Sequence, residues 1–275
     1  MTAKDFLKEG KVDDCLTQLK ADIRRHPADD KLRIFLAQLQ CVVGNWDKAM
    51  AQLKVASEID GKNLLLTHFY SQVINCELLR KEIFAGKRTP LVCGEPPAWL
   101  GLMVESNNRV AQKEYSVAEE LRHQAFEQAP AIPGSIDGQA FEWIADADTR
   151  LGPVVEAIIE GKYYWVPLNQ VKQIRISAPT DLRDLVWIEA HFSWVNCGEA
   201  TGLIPARYPD SENNPDDNVK LARKTEWVEH PGETFLGLGQ RMFAADTGEF
   251  SLLQIRDITI NHVSDVSSET GHTNG

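Results

Sequence analysis

The sequence predicts an α+β protein. An N-terminal tetratricopeptide-like helical domain is expected over 1–133, a mainly antiparallel β domain, a sheet or small barrel, over 134–263, and a disordered tail over 264–275. Three observations carry this reading. The first half repeats itself at a helical-repeat period, the second half breaks into short β-branched and aromatic runs between turn residues, and all the excess negative charge lies in the second half.

The repeat is seen in Gly10-Lys11-Val12-Asp13-Asp14-Cys15 and Gly44-Asn45-Trp46-Asp47-Lys48-Ala49, which lie 34 residues apart, the tetratricopeptide period. Leu7/Cys41, Leu16/Met50 and Leu19/Leu53 keep the same offset. In such a unit glycine closes the turn between antiparallel helices, and small residues stand where the helices approach; Gly44, Ala49 and Ala56 occupy those places. A third copy carries Tyr115, Ala118 and Ala125, each 69 residues after Trp46, Ala49 and Ala56, so one extra residue has entered the middle. That middle holds a helix over 64–84, with Leu65, Phe69, Val73, Cys76 and Leu79 on one face, and a loop over 88–97 rich in proline and glycine. About six helices in stacked pairs are expected, with Trp46 and Tyr115 as packing residues. A stack of this kind offers a surface for a peptide or helix and has no catalytic apparatus of its own.

Beyond Pro133-Gly134 the patterning changes. Candidate strands fall at 154–159, 163–167, 171–176, 186–195, 201–207, 225–229, 240–245 and 250–260, with turns at Glu160-Gly161, Asn196-Cys197-Gly198 and Asp246-Thr247-Gly248. Gly152-Pro153 followed by VVEAIIEG also fits a short helix, but its β-branched residues and the aromatic run Tyr163-Tyr164-Trp165 favour a hairpin. Residues 209–218 form an acidic loop.

Composition bounds the function. With 43% hydrophobic and 25% charged residues the chain reads as globular, and no apolar run is long enough to span a membrane. The start, MTAKDFLKEG, lacks the apolar stretch of a secretory signal, so a cytoplasmic address is expected. Residues 1–133 hold 18 Lys and Arg against 18 Asp and Glu; residues 134–275 hold 11 against 22. That acidity argues against nucleic acid and anionic membranes as partners, and suits either a basic protein surface or simple solvation. The five cysteines are scattered without zinc-site spacing and read as reduced core thiols.

Chemistry is sparse. No cofactor motif is present: P-loop, G-x-G-x-x-G and G-x-S-x-G are all missing, and Gly237-Leu238-Gly239-Gln240-Arg241 does not join a strand to a helix. The seven histidines are not within ligand spacing of one another. Glu142, Asp146 and Asp148 offer an acid–base pair or a cation site, but without EF-hand spacing; the plainer reading caps backbone N–H groups and pairs them with Arg150. Thr180 is expected to cap a short turn over 181–185.

The strings FEWIADADTRLGPVVEAIIEGKYYWVP (141–167), PTDLRDLVW (179–187), GLIPARYPDSE (202–212), LARKTEW (221–227) and GLGQRMFAADTGEFSLLQIRDI (237–258), with GNWDKAMAQL at 44–53, resemble the ImpE family, also called SciE or TagJ. These are accessory proteins of bacterial type VI secretion systems. The resemblance implies a non-enzymatic partner of the contractile sheath that binds the N-terminal helix of the small sheath subunit, TssB, and is linked to the ClpV ATPase that disassembles contracted sheaths. It implies no catalytic residues and no cofactor.

Helix recognition needs an apolar trough with charges at its rim. One candidate is the aromatic group Trp143, Tyr164 and Trp165 bordered by Asp146, Asp148 and Arg150; the other is the groove of the helical repeat. The competing expectation is a metal-dependent enzyme or regulator centred on Glu142, Asp146 and Asp148, and a third is a purely architectural repeat protein.

Overall fold

The computed structural model describes residues 1–262. The expected tail over 264–275 lies outside the described residues. Helices α1 (Ala3–Lys8), α2 (Val12–Arg25), α3 (Asp30–Val42), α4 (Trp46–Ile59) and α5 (Leu64–Phe84) come first. The two-residue strand β1 (Leu91–Val92) follows, then α6 (Ala98–Ala111) and α7 (Tyr115–Gln128). The pairs α1/α2, α3/α4 and α6/α7 are the three repeat copies, and α5 stands between the second and third, which makes seven helices where six were expected.

The repeat period reappears in the backbone. Gly10 and Gly44 close their turns in the left-handed region, at φ of 74° and 68°. The equivalent position of the third copy, 69 residues after Gly44, is Lys113, which adopts the same conformation at φ 64° despite its side chain. Ala49, Ala56, Ala118 and Ala125 are fully buried, as close helix approach requires. Trp46 and Tyr115 do pack, Trp46 against Trp187 with ring centroids 5.8 Å apart and Tyr115 stacked on His230 at 4.6 Å.

The second half opens with the short strands β2 (Gly134–Ile136), β3 (Gln139–Phe141) and β4 (Ile144–Asp146), none of which the pattern signals, because three residues are too few to show alternation. Then come β5 (Val154–Ile159), β6 (Lys162–Pro167), β7 (Val171–Ile176), β8 (Trp187–Trp194) and β9 (Glu199–Pro205). After a short helix α8 (Asp217–Lys220) follow β10 (Thr225–His230), β11 (Thr234–Gly239), β12 (Met242–Ala245), β13 (Gly248–Ser251) and β14 (Asp257–Ile260). The strand expected over 250–260 is two strands, and the glycine-rich 237–239 segment belongs to β11. Position 239 requires glycine, because a Cβ there would collide with the Lys224 carbonyl oxygen.

The nine-stranded sheet runs β1-β6-β5-β9-β8-β7-β14-β2-β3. Two ends remain, so it is an open sheet and no barrel; every pairing in it is antiparallel except β1 with β6. A β10-β11 ribbon and a β13-β12-β4 sheet complete the set. The 152–161 segment is a hairpin strand and no helix: Glu160 and Gly161 both take positive φ, 51° and 70°, the tight turn that matches strand twist.

Alternation along the strands divides the core into two layers. Val154, Ile158, Tyr163, Trp165, Trp187 and Leu203 join the buried residues of the helices, while Val155, Ala157, Val166, Ile174, Ile188 and Ile204 pack with Phe243, Leu252 and Ile258 on the other face. Each fully buried tryptophan removes enough apolar surface to favour the fold by a few kcal/mol, roughly 25 cal/mol per Å². Two smaller expectations change: Cys15, Cys41 and Cys76 are buried thiols, but Cys197 is exposed in a turn at φ 65°, and the 182–185 turn is capped by Asp181 in a capping box with Asp184, not by Thr180.

Candidate functional site

Period-two alternation puts Glu156, between Val155 and Ala157, on the helix-facing side of β5, where it is fully buried. A carboxylate there is costly unless it is paired and its lone pairs are filled. Arg80 of α5 donates from Nε to Glu156 Oε1 at 2.5 Å and from Nη2 to Oε2 at 3.0 Å; Tyr163 OH donates to Oε1, and Arg241 Nη2 donates to Oε2. Arg241 also donates from Nη1 to Asp146 Oδ2, and Asp146 Oδ1 accepts from Tyr208 OH at 3.0 Å and from the Asp148 backbone N–H at 2.9 Å. Asp148 is held by Arg150, from Nε at 2.9 Å and Nη2 at 2.5 Å, and accepts the Gly237 N–H at 2.9 Å. Three buried carboxylates therefore face three buried guanidiniums drawn from α5, the 147–150 loop and the approach to β12.

Their protonation follows from that arrangement. Burial alone would raise Glu156, but the Arg80 and Arg241 guanidiniums outweigh it and hold the carboxyl down at about 2. Burial pushes Asp146 up to about 7, because it shares a single guanidinium, Arg241, and has Asp148 beside it. Burial likewise pushes the Tyr163 and Tyr208 phenols well above their ordinary value, so both remain donors.

This geometry corrects the expected binding group. Asp146, Asp148 and Arg150 are buried in the ionic core and rim no trough; Trp165 is fully buried toward the helices, donating its indole N–H to Tyr163 OH at 2.9 Å. Tyr164 lies on the opposite face of β6, half-buried, and Trp143 is exposed before β4, so the three aromatics do not form one cluster. The capping role expected for Asp146 and Asp148 is present, since each accepts the N–H two residues on. Glu142, Asp146 and Asp148 do not converge on one cation: Glu142 is exposed outside the network, and the two aspartates spend their oxygens on arginines, phenol and backbone. The signal for the network was a lone Glu156 inside an apolar strand; its partners Arg80 and Arg241 lie 76 and 85 residues away and carry no local mark.

The helical groove is also spoken for. Trp187 packs between Trp46 and Tyr70 and donates its indole N–H to Glu77 at 2.7 Å, while Arg207 reaches the Val42 carbonyl at 2.7 Å. The β half thus covers this side of α3, α4 and α5.

Two grooves at the seam stay open: one of about 510 Å³ between α7 and the start of β11, lined by Arg122, Phe126 and Phe235, and one of about 440 Å³ where the start of α5 passes the β5-β6 turn and β9. Leu65, Leu66, Phe69, Val73, Ile158 and Leu203 line the second, with Glu160, Arg183 and Glu189 around it. Leu64 and Leu65 stand 61% and 84% exposed, so the apolar stripe expected to bury α5 is covered only from Phe69 onward. This second groove uses residues of both halves, and neither half alone forms it.

The chain is thus a degenerate helical repeat joined through an ionic core to an acidic open sheet, with an apolar trough at the seam. The chain belongs to the ImpE family: the ImpE protein family model matches residues 138–259, and the chain is 43% identical over 258 residues to the type VI secretion system accessory component TagJ of Pseudomonas aeruginosa, covering 94% of this chain and 90% of that protein. The fold is shared with the crystal structure of protein VPA1032 from Vibrio parahaemolyticus, at a TM-score of 0.87 and 24% identity, over 96% of this chain and 99% of that one. No helix among the described residues is long and apolar enough to cross a membrane.

Proposed function

We propose that this chain is a cytoplasmic, non-enzymatic adaptor of a bacterial type VI secretion system. In this reading it receives the amphipathic N-terminal helix of the small sheath subunit, TssB, in the groove between α5 and β9, and so connects the sheath to ClpV-dependent disassembly. The observation that carries the reading is the unpartnered apolar trough at the seam, with Leu64 and Leu65 exposed beside it. Helix-in-groove recognition buries an i, i+3, i+4, i+7 stripe in such a trough. Glu160 and Glu189 outnumber Arg183 around the groove and favour a helix with basic flanks, and the acidic second half disfavours nucleic acid and anionic membrane. The relative's role as an accessory component supports the secretion-system assignment, and the carboxylates locked in the ionic core support the absence of catalysis.

Titration of the full chain with a peptide of the sheath subunit's first ~20 residues, about 30 Å of helix, tests this. Saturable heat that disappears in Leu65→Asp supports the groove. Saturable heat unchanged in Leu65→Asp places the helix elsewhere, and no heat at all removes the proposal.

A further inference from the structure

We propose that Glu119, His123 and Glu233 form a binding site for a divalent transition-metal cation of the zinc class, which fastens the β10-β11 turn to α7. Glu119 and His123 are four residues apart on α7, one turn along the same face, and Glu233 reaches them from the hairpin turn. Their ligand atoms, one imidazole nitrogen and two carboxylate oxygens, all lie within 4.8 Å of one another. Among the described residues none of the three side chains makes a hydrogen bond or ion pair, although two glutamates and a histidine meeting at a solvent edge would ordinarily seek partners. They are the only grouping of this kind among the described residues.

The turn is held in register without the ion. The His230 ring stacks on Tyr115 at 4.6 Å, and Arg122 Nη2 donates to the Gly232 and Glu233 carbonyls at 2.6 and 3.1 Å. Residue 232 must be glycine for this approach, since a Cβ there would stand 2.9 Å from both Glu119 Oε2 and the Tyr115 carbonyl. The donors are thus brought together by contacts that do not involve them.

Donor chemistry selects the ion. Imidazole with carboxylate suits zinc and its neighbours, whereas calcium and magnesium take oxygen donors. Metal–donor bonds of about 2.0–2.2 Å place neighbouring donors roughly 3.0–3.6 Å apart, so the side chains close inward by about 1 Å, which the exposed His123 and Glu233 allow. Three protein donors leave at least one position for water. Arg122 opposes the cation, but Glu119, Glu233 and Asp148 all act on that guanidinium, and two of these three carboxylates are the ligands themselves.

The test is calorimetry of the chelator-treated, untagged full chain with ZnCl2 alone, in parallel with His123→Ala, Glu233→Gln and Cys197→Ser. Cys197 is included because it is an exposed thiol. The expected result is one equivalent bound, at least ten-fold weaker in His123→Ala and Glu233→Gln, and unchanged in Cys197→Ser. Cobalt in place of zinc should give visible bands without the near-ultraviolet absorption of a thiolate ligand. Because His123 and Glu233 are exposed, the metal-free variants should melt with the parent, which separates lost ligation from lost folding. Absence of saturable zinc binding, binding undiminished in His123→Ala, or binding lost in Cys197→Ser overturns the proposal.

Discussion

Arg80 and Glu156 join the two halves of the chain by a bidentate ion pair, with both N–H···O contacts fully buried and a third N–H of Arg80 directed to the Arg207 carbonyl at 2.9 Å. The pair is a fork-to-fork contact between the C-terminal part of α5 and the middle of β5, and with the Trp187 indole on Glu77 it ties the longest described helix to the sheet.

Glu156→Gln leaves Arg80 and Arg241 facing a neutral amide in a dry interior. Removing one member of a buried ionic network costs about 3–5 kcal/mol. Urea denaturation should show that loss, and a change under ~1 kcal/mol would mean the network is hydrated and weak.

Asp146 gives stability an unusual pH dependence. Its folded value of about 7 lies above the ordinary aspartate value of 3.8, so the folded state retains a proton that the unfolded chain has released. The stabilisation is complete below about pH 4 and lost as pH rises through about 7. Glu156 acts in the opposite sense: at about 2, below the ordinary glutamate value of 4.5, its contribution is present above about 4.5 and lost as pH falls toward 2. The stability of the parent relative to Asp146→Asn should therefore decline from pH 5 to pH 8; a flat or rising difference would contradict the protonated carboxyl.

Lys113→Gly should stabilise the protein. The left-handed conformation costs a non-glycine residue about 1–2 kcal/mol, and glycine's greater unfolded-state freedom takes back about 0.5–1. A net gain of up to ~1 kcal/mol, raising the melting temperature by a few degrees, is expected from differential scanning calorimetry.

Leu65→Asp separates binding from folding. The side chain is 84% exposed, so the melting temperature should stay within the ~0.5 kcal/mol range of ordinary surface changes. Phe69→Ala, also lining the groove but half-buried, should weaken helix binding and cost about 1–2 kcal/mol of stability as well. Loss of binding in both with loss of stability only in the second would identify the groove as the docking surface.

Much of this protein is legible locally. The 34-residue period, the glycines at its turns and the buried alanines gave the helical pairs, and Glu160-Gly161 between β-branched and aromatic runs gave the first long hairpin. Strands of three residues, β2, β3 and β4, left no period to read, and Gly237-Leu238-Gly239 hid a strand because glycine carries no side-chain pattern. The acidic stretch containing Asp146, Asp148 and Arg150 was correctly a set of caps and an ion pair, yet its burial, which removes it from any binding rim, was not in its letters.

The sequence by itself determined most of the longer elements, the helix-then-sheet order and the family, because these rest on spacing within a few tens of residues. Only the tertiary structure decided what α5 does. Its stripe from Phe69 to Phe84 meets the sheet and its Arg80 meets Glu156, while Leu64 and Leu65 overrun the sheet and stay exposed. Whether an apolar residue is core or docking surface depends on where the opposing element ends, and that element comes from residues some 80 to 140 positions further along the chain.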